Sequence, residues 1–324
     1  MGPIVSLPVQ VITDSTCSPW SDGPTRSVVT IGAYDGVHLG HQAIIAQVRQ
    51  LADELEARSV VVTFDRHPAS VVRPESAPRL LTDVDQKLEL LCATGVDATV
   101  FVRFDEHQSH ESPQSFVERV LVGCLAARRI VVGADFHFGS NRSGNVALLS
   151  ELGLLHDFEV QPLTLVARTD GVDEPLSSTA IRRAMAGGQV ELAASMLGRP
   201  FQARGIVVQG DQRGRTIGFP TANVEVPSVI CLPADGVYAG WYLRPDGERQ
   251  ACAINLGRRP TFYEHADHSL LEAHLLDFDG DLYGEQAQVE FTHFLRSERK
   301  FDGIDTLITQ LQHDVVHARG LLGA

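Results

Sequence analysis

At 324 residues the chain is longer than one hydrophobic core usually organises, so two domains are expected. Hydrophobic residues make up 44% and charged residues 21%, an ordinary globular composition that excludes wholesale disorder. Lys and Arg total 27 against 41 Asp and Glu, and the resulting charge of −14, with no basic block, disfavours nucleic acid or an anionic membrane while leaving room for phosphate-bearing small molecules.

The opening apolar run, Pro3 to Ile12, lacks a basic flank and is broken by prolines. No stretch approaches the ~18 consecutive apolar residues of a membrane helix, so a cytoplasmic chain is expected. Cys17, Cys92, Cys124, Cys231 and Cys252 are scattered without the close pairing of zinc ligands and read as buried thiols in a reducing compartment.

From Ser27 onward, β-rich and helical patterns alternate. A strand at Val28–Ile31 leads to a helix over Gln42–Leu55, with Ile44, Val48, Leu51 and Leu55 on one stripe, and then to a strand at Ser59–Phe64. A second helix is expected after Thr82 as N-cap and a third after Ser112 with Pro113 in its first position; strands at Ala98–Val102 and Arg129–Val132 intervene. This is the βαβ alternation of a parallel, helix-covered, Rossmann-like α/β sheet. Past Pro200 the pattern turns β-rich, at Gly205–Val208, Val237–Leu243, Leu270–Leu276 and Gln288–Thr292, which predicts a mostly antiparallel β-barrel. A terminal helix carrying Leu307, Leu311 and Val315 follows, with Asp302 as its cap. The junction is expected between Gly187 and Pro200, dividing the chain into domains 1–186 and 187–324.

Three segments suggest chemistry. Ile31-Gly32-Ala33-Tyr34-Asp35-Gly36-Val37-His38-Leu39-Gly40-His41 follows a predicted strand and opens a helix, where backbone N–H groups favour phosphate and two imidazoles can donate to one phosphate chain. By itself it reads equally as a tight turn with two surface histidines. Leu176-Ser177-Ser178-Thr179-Ala180-Ile181-Arg182 stacks hydroxyls at a helix start with a guanidinium one turn on, suited to pyrophosphate, although a plain Ser cap explains it alone. Gly210-Asp211-Gln212-Arg213-Gly214-Arg215-Thr216-Ile217-Gly218-Phe219-Pro220-Thr221-Ala222-Asn223 joins a glycine-rich flap to a Pro-fixed turn, and Thr221 with Asn223 offers oxygen ligands for Mg²⁺. A glycine-rich hairpin is its bland alternative, and the absence of GxxxxGK[ST] excludes a P-loop kinase.

The first two segments resemble the HxGH and SSTxxR signatures of the adenylyltransferase and cytidylyltransferase superfamily. Thr63-Phe64-Asp65-Arg66-His67-Pro68 and Val132-Gly133-Ala134-Asp135-Phe136-His137-Phe138-Gly139 narrow the resemblance to the FMN adenylyltransferase domain of prokaryotic bifunctional FAD synthetases. Two departures stand out: Tyr34 where that family usually has Phe, and Arg66 where it usually has Pro. The third segment resembles the flap and PTAN motif of riboflavin kinase, continued by Asn255 to Phe262, Leu271 to Gly284, and Phe294-Leu295-Arg296 through Lys300-Phe301.

The resemblance implies an α/β nucleotidyltransferase domain joined to a riboflavin kinase barrel. Riboflavin is then phosphorylated to FMN, and FMN is adenylylated to FAD, with ATP as co-substrate and Mg²⁺ as cofactor. It implies that His38 and His41 steady the ATP α-phosphate, with Gly32, Tyr34, Asp35, Gly36 and Gly40 around them, and that Ser177, Ser178, Thr179 and Arg182 hold pyrophosphate. His67, Pro68, Asp135 and Phe136 are implied on the flavin. In the barrel, Gly210, Arg215, Gly218, Pro220, Thr221 and Asn223 are implied on ATP, Thr221 and Asn223 on the metal, Arg296 on flavin, and Glu272 as the base for riboflavin. Two rivals are an adenylyltransferase whose barrel is only a support, and a flavin-sensing protein without turnover; intact HxGH, PTAN and Glu272 argue against both. The oligomeric state is left open.

Overall fold

The computed structural model describes residues 10–13, 25–164, 166–168, 170–210, 212–258 and 269–324. Cys17, Asp211 and the Arg259-Pro260-Thr261-Phe262 stretch lie outside them, as does the first part of the opening apolar run. By contacts the chain divides into two compact units, Met1–Ser177 and Ser178–Ala324.

The first unit begins with β1 (Gln10–Thr13), β2 (Ser27–Ile31), α1 (Leu39–Glu54), β3 (Arg58–Phe64), α2 (Ala69–Val72), α3 (Val84–Ala93) and β4 (Ala98–Val102). It continues through α4 (Glu106–Ser109), α5 (Pro113–Phe116), π-helical turns at Val117–Cys124, β5 (Ala127–Gly133), the short β6 (His137–Phe138) and β7 (Gly144–Asn145), α6 (Val146–His156) and β8 (Glu159–Leu163). Six strands form one parallel sheet in the order β1-β4-β3-β2-β5-β8. Both faces are covered, which is why the strand sequences run apolar without alternation. Val28, Val61 and Val131 join α1 and α3 residues on one face; Val29, Val60, Val62 and Ile130 join Phe116, Leu121 and Leu149 on the other. The chain order reverses between β2 and β5, so their carboxyl ends open the crevice where such sheets bind ligands.

The second unit holds α7 (Ser178–Ala186), α8 (Val190–Leu197), β9 (Phe201–Val208), α9 (Arg213–Thr216), β10 (Ala222–Glu225), β11 (Gly236–Leu243), β12 (Arg249–Arg258), β13 (Ser269–Leu275), β14 (Gln286–Arg296) and α10 (Ile304–Leu322). Its strands close an antiparallel barrel in the order β10-β13-β12-β11-β14-β9. Tyr238, Phe291, Phe201, Ile254, Leu256 and Leu271 are among its buried side chains.

Three expectations need correcting. Helix α3 is capped by Asp83, whose side chain accepts from Gln86 N at 2.7 Å, because Thr82 is already committed to Asp35. Helix α10 is capped by Gly303 rather than Asp302, without a side-chain hydrogen bond. Within the second unit, α8 lies in the expected junction stretch and packs on β9 and β14, burying Val190, Ala193, Met196 and Leu197. Cys92, Cys231 and Cys252 are free thiols, but Cys124 is disulfide-bonded, since sequence spacing does not show which sulfurs meet in space.

Candidate functional site

In the first unit the turn after β2 is held in an unusual backbone. Tyr34 and Val37 adopt positive φ (49° and 39°), a costly conformation for side-chain-bearing residues, and Gly36 lies at 81°. What holds it is Asp35, whose Oδ1 accepts from Leu81 N (2.9 Å), Thr82 N (3.2 Å) and Thr82 Oγ1 (3.4 Å), while Gly36 N donates to Thr82 Oγ1 at 3.2 Å. The Leu81–Thr82 clasp was not legible as part of the site, because its partner lies some 46 residues away in sequence.

His38 caps α1 by accepting from His41 N at 3.3 Å, and the two imidazoles stack with centroids 3.6 Å apart. Gly40 packs closely: a Cβ there would press on the His38 ring at 3.1 Å and lie 3.6 Å from Leu176 O. The second contact brings the residue preceding Ser177 against the start of α1. Tyr34 tilts against His41 at 4.8 Å between ring centroids and shares a 2.6 Å hydrogen bond with Thr30. Burial, and secondarily His38, holds His41 well below the ordinary imidazole pKa, and its Nδ1 is buried without a hydrogen-bond partner. His41 is therefore a neutral ring with spare hydrogen-bonding capacity at the helix start.

Beside this turn lies a cavity of about 1110 Å³, walled by Gly32, Ala33, Phe64, His67, Phe136 and Phe138. Its volume is that of a small-molecule site, and its apolar walls include the stacked Phe136–Phe138 pair (5.5 Å). Pro68 and Asp135 also line it; Arg66 does not, being half-exposed and 3.5 Å from Asp65. His67 Nδ1 accepts from Ala69 N at 3.1 Å, so a neutral His67 carries its proton on Nε2. Ser177 ends the first unit, whereas Ser178, Thr179 and Arg182 open α7 in the second.

In the barrel, β13 alternates as expected: Leu271, Ala273 and Leu275 are buried, while Glu272 and His274 lie on the other face. Register places Glu272 between Asn223 of β10 and Asn255 of β12, and Asn255 Nδ2 donates to Glu272 Oε2 at 3.4 Å. Asn255 is a neighbour that sequence alone did not reveal, because it requires the register of a strand not expected there. A Cβ at Gly210 would fall within 2.6 Å of the Asn223 amide, whose buried Oδ1 has no hydrogen-bond partner. The Pro220-Thr221 turn is buttressed by His274, whose Nδ1–H donates to Pro220 O at 2.7 Å. Gly214 closes the flap helix by accepting from Phe219 N at 2.8 Å, Gly218 turns with φ 86°, and Arg215 is exposed. Arg296 meets the terminal helix: Nε and Nη2 donate to Asp314 at 2.9 and 2.7 Å, and Nη1 to Ser297 O at 3.1 Å.

A Rossmann-like sheet with an HxGH turn at its carboxyl edge, together with a six-stranded barrel bearing a PTAN turn, defines a two-part nucleotide-handling enzyme. Family models described as FAD synthetase and riboflavin kinase match residues 21–180 and 197–322. The chain belongs to the bifunctional riboflavin kinase/FMN adenylyltransferase family. It is 39% identical to the member from Listeria monocytogenes over 92% of this chain and 93% of that one. With the Escherichia coli K12 member it shares 38% identity over 91% and 93%, respectively. A crystal structure of a Streptococcus pneumoniae protein named for macrolide efflux is also similar, with TM-score 0.84 and 30% identity over 96% of this chain and 99% of that one. Efflux is a property given to that protein; the fold is what the two chains share.

Proposed function

We propose that the chain performs both reactions in succession, with residues 187–324 phosphorylating riboflavin and residues 1–186 adenylylating the FMN so formed. What supports the second step is the HxGH turn beside an aromatic-walled cavity at the switch point of the sheet. An FMN phosphate oxygen attacks the α-phosphorus of ATP, the bond to the bridging oxygen breaks, and pyrophosphate leaves. His38 and His41 steady the α-phosphate, and Ser177, Ser178, Thr179 and Arg182 take the leaving pyrophosphate. Catalysis rests on positioning and charge stabilisation rather than on a covalent enzyme intermediate. Within this reading Tyr34, Asp35 and Gly36 shape the turn, and His67, Pro68, Asp135 and Phe136 border the flavin.

In the barrel, the riboflavin 5′-hydroxyl attacks the γ-phosphorus of a first ATP, its proton passes to Glu272, and ADP leaves. The half-buried carboxylate beside Asn255 supports this role. Gly210, Arg215, Gly218, Pro220, Thr221 and Asn223 make the nucleotide side. The orphaned Asn223 Oδ1 and the neighbouring Thr221 hydroxyl are hard oxygen donors that fit Mg²⁺, and these two residues would hold it. When bound, the ion neutralises phosphate charge. Arg296, oriented by its ion pair with Asp314, anchors α10 and is placed on the flavin side. An acidic chain favours small-molecule substrates over nucleic acid or a membrane surface, and dependence on ATP suits the cytoplasm.

Chromatography of flavins after incubating the protein with riboflavin, ATP and Mg²⁺ tests the reading: FMN followed by FAD is expected, and unchanged riboflavin overturns it. Glu272→Gln tests the base. FMN formation should fall by roughly 10²–10⁴ while FAD formation from supplied FMN persists. A variant within about threefold of the parent removes Glu272 from proton transfer.

A further inference from the structure

Lys87 is a buried cation that the chemistry above leaves without a role. It projects from α3, is only 7% exposed, and its Nζ donates to Phe64 O at 2.8 Å and Thr63 Oγ1 at 3.4 Å. Thr63 Oγ1 in turn donates to Ala33 O at 3.1 Å. One ammonium thus links the carboxyl end of β3, where Phe64 enters the cavity wall, to the glycine-rich turn after β2. The Phe101 ring lies 5.4 Å from Nζ on a third element, β4.

Removing an ammonium from water is costly unless it is paired, so such a group marks a place where the fold depends on its contacts. The charged groups facing it are Asp35, from the turn, and Asp65, just past β3 and itself beside Arg66. Asp65 Oδ1 also accepts from Phe104 N at 2.9 Å, and the Phe104 ring meets Phe64 edge-on at 5.4 Å, so the same network reaches a second cavity residue.

Building on the adenylyltransferase reading, we propose that Lys87 is a positioning residue for FMN adenylylation, fixing the separation between the phosphate-binding turn and the wall of the flavin cavity. In-line attack needs the FMN phosphate and the ATP α-phosphorus at near-contact distance, and a misplacement of about 1 Å costs on the order of a hundredfold in rate. Lys87 touches neither reactant; it holds the two surfaces that do. Its protonation then matters. Burial outweighs the two carboxylates and lowers its pKa to about 8, so the charge is present at neutral pH and is lost as pH rises through that value.

The test compares Lys87→Met and Lys87→Arg with the parent, using FMN and ATP supplied directly. In Lys87→Met the kcat for FAD formation should fall about ten- to a hundredfold, with KM for both substrates within about threefold and FMN binding, read by flavin fluorescence, retained. The parent's kcat should decline on an alkaline limb near pH 8, and Lys87→Arg, whose guanidinium stays charged, should move that limb upward. A Lys87→Met kcat within about threefold of the parent overturns the proposal. So does loss of FMN binding in step with kcat, which marks a merely structural lysine, or an alkaline limb unmoved in Lys87→Arg. If one variant does not fold, the other decides alone. A parent that forms no FAD from FMN refutes the adenylyltransferase reading instead, so the two failures are distinguishable.

Discussion

Tyr34 brings a hydroxyl into the turn after β2, and at 2% exposure that hydroxyl needs a partner. Thr30 supplies it from the preceding strand, and burial pushes the phenol's pKa up against the smaller lowering by that bond. The sequence showed Tyr34 as a departure but not its partner, because the pair forms only when the turn folds back over β2. Tyr34→Phe and Thr30→Val should each cost roughly 1–3 kcal/mol in urea unfolding, since either leaves a buried hydroxyl without its partner. The double variant should recover part of the sum; strictly additive costs would mean that the two hydroxyls are not coupled. At His41 the expected loss is catalytic: His41→Ala should lower FAD formation on the order of a hundredfold or more while FMN formation continues. Equal loss of both activities would indicate misfolding, and undiminished FAD synthesis would remove His41 from the mechanism. Stability has its own pH signature. With the folded pKa of His41 held below its ordinary value, the unfolded chain takes up a proton that the folded chain refuses, so stability declines as pH falls below ~6.5.

Elements with strong periodicity were legible in the sequence, and those defined by tertiary partners were not. The strand Ala98–Val102 is found where expected, and α5 begins at Pro113 with Ser112 as cap, accepting from Ser115 N at 3.1 Å. By contrast β10 spans only Ala222–Glu225 beside the PTAN turn, and β12 opens on Arg249 and Gln250 and runs through the small Ala251 and Ala253, so neither offered a plain alternation. Helix α10 was legible by its stripe, but Asp314, 5% exposed on that buried side, was passed over. An acid in a packed stripe implies a cation opposite, and Arg296 at the end of β14 is that cation. Asp314→Ala leaves the guanidinium part-buried and unpaired, which should cost about 3–5 kcal/mol in urea unfolding of the barrel unit. Replacing both partners, Asp314→Leu with Arg296→Met, should recover most of it. A single-variant cost below about 1 kcal/mol would show that the pair does not anchor α10.

At the scale of the whole molecule, the unit boundary and the motif boundary do not coincide. The SSTxxR segment straddles the division, with Ser177 closing the first unit and Ser178, Thr179 and Arg182 belonging to a helix that packs with the second. Ala180, Ile181, Ala184 and Met185 of α7 are buried, α7 packs on α8, and Ala234 N donates to Met185 O at 2.9 Å. A boundary read from motifs, at 186/187, follows the proposed chemistry, whereas folding should follow the contacts. Fragments separate the two. Ser178–Ala324 should fold alone and convert riboflavin to FMN, because its barrel has its own core. Gly187–Ala324 keeps every residue proposed for the kinase step but loses the cover of Ile181 and Met185. At roughly 1.5–3 kcal/mol for each large apolar side chain buried, it should be less stable by about 3–6 kcal/mol, read as a lower urea midpoint with the kinase still active when folded. Equal midpoints for the two fragments would show that α7 contributes nothing to the barrel unit. A Ser178–Ala324 fragment that stays unfolded, beside an active full chain, would show that the barrel depends on residues before α7.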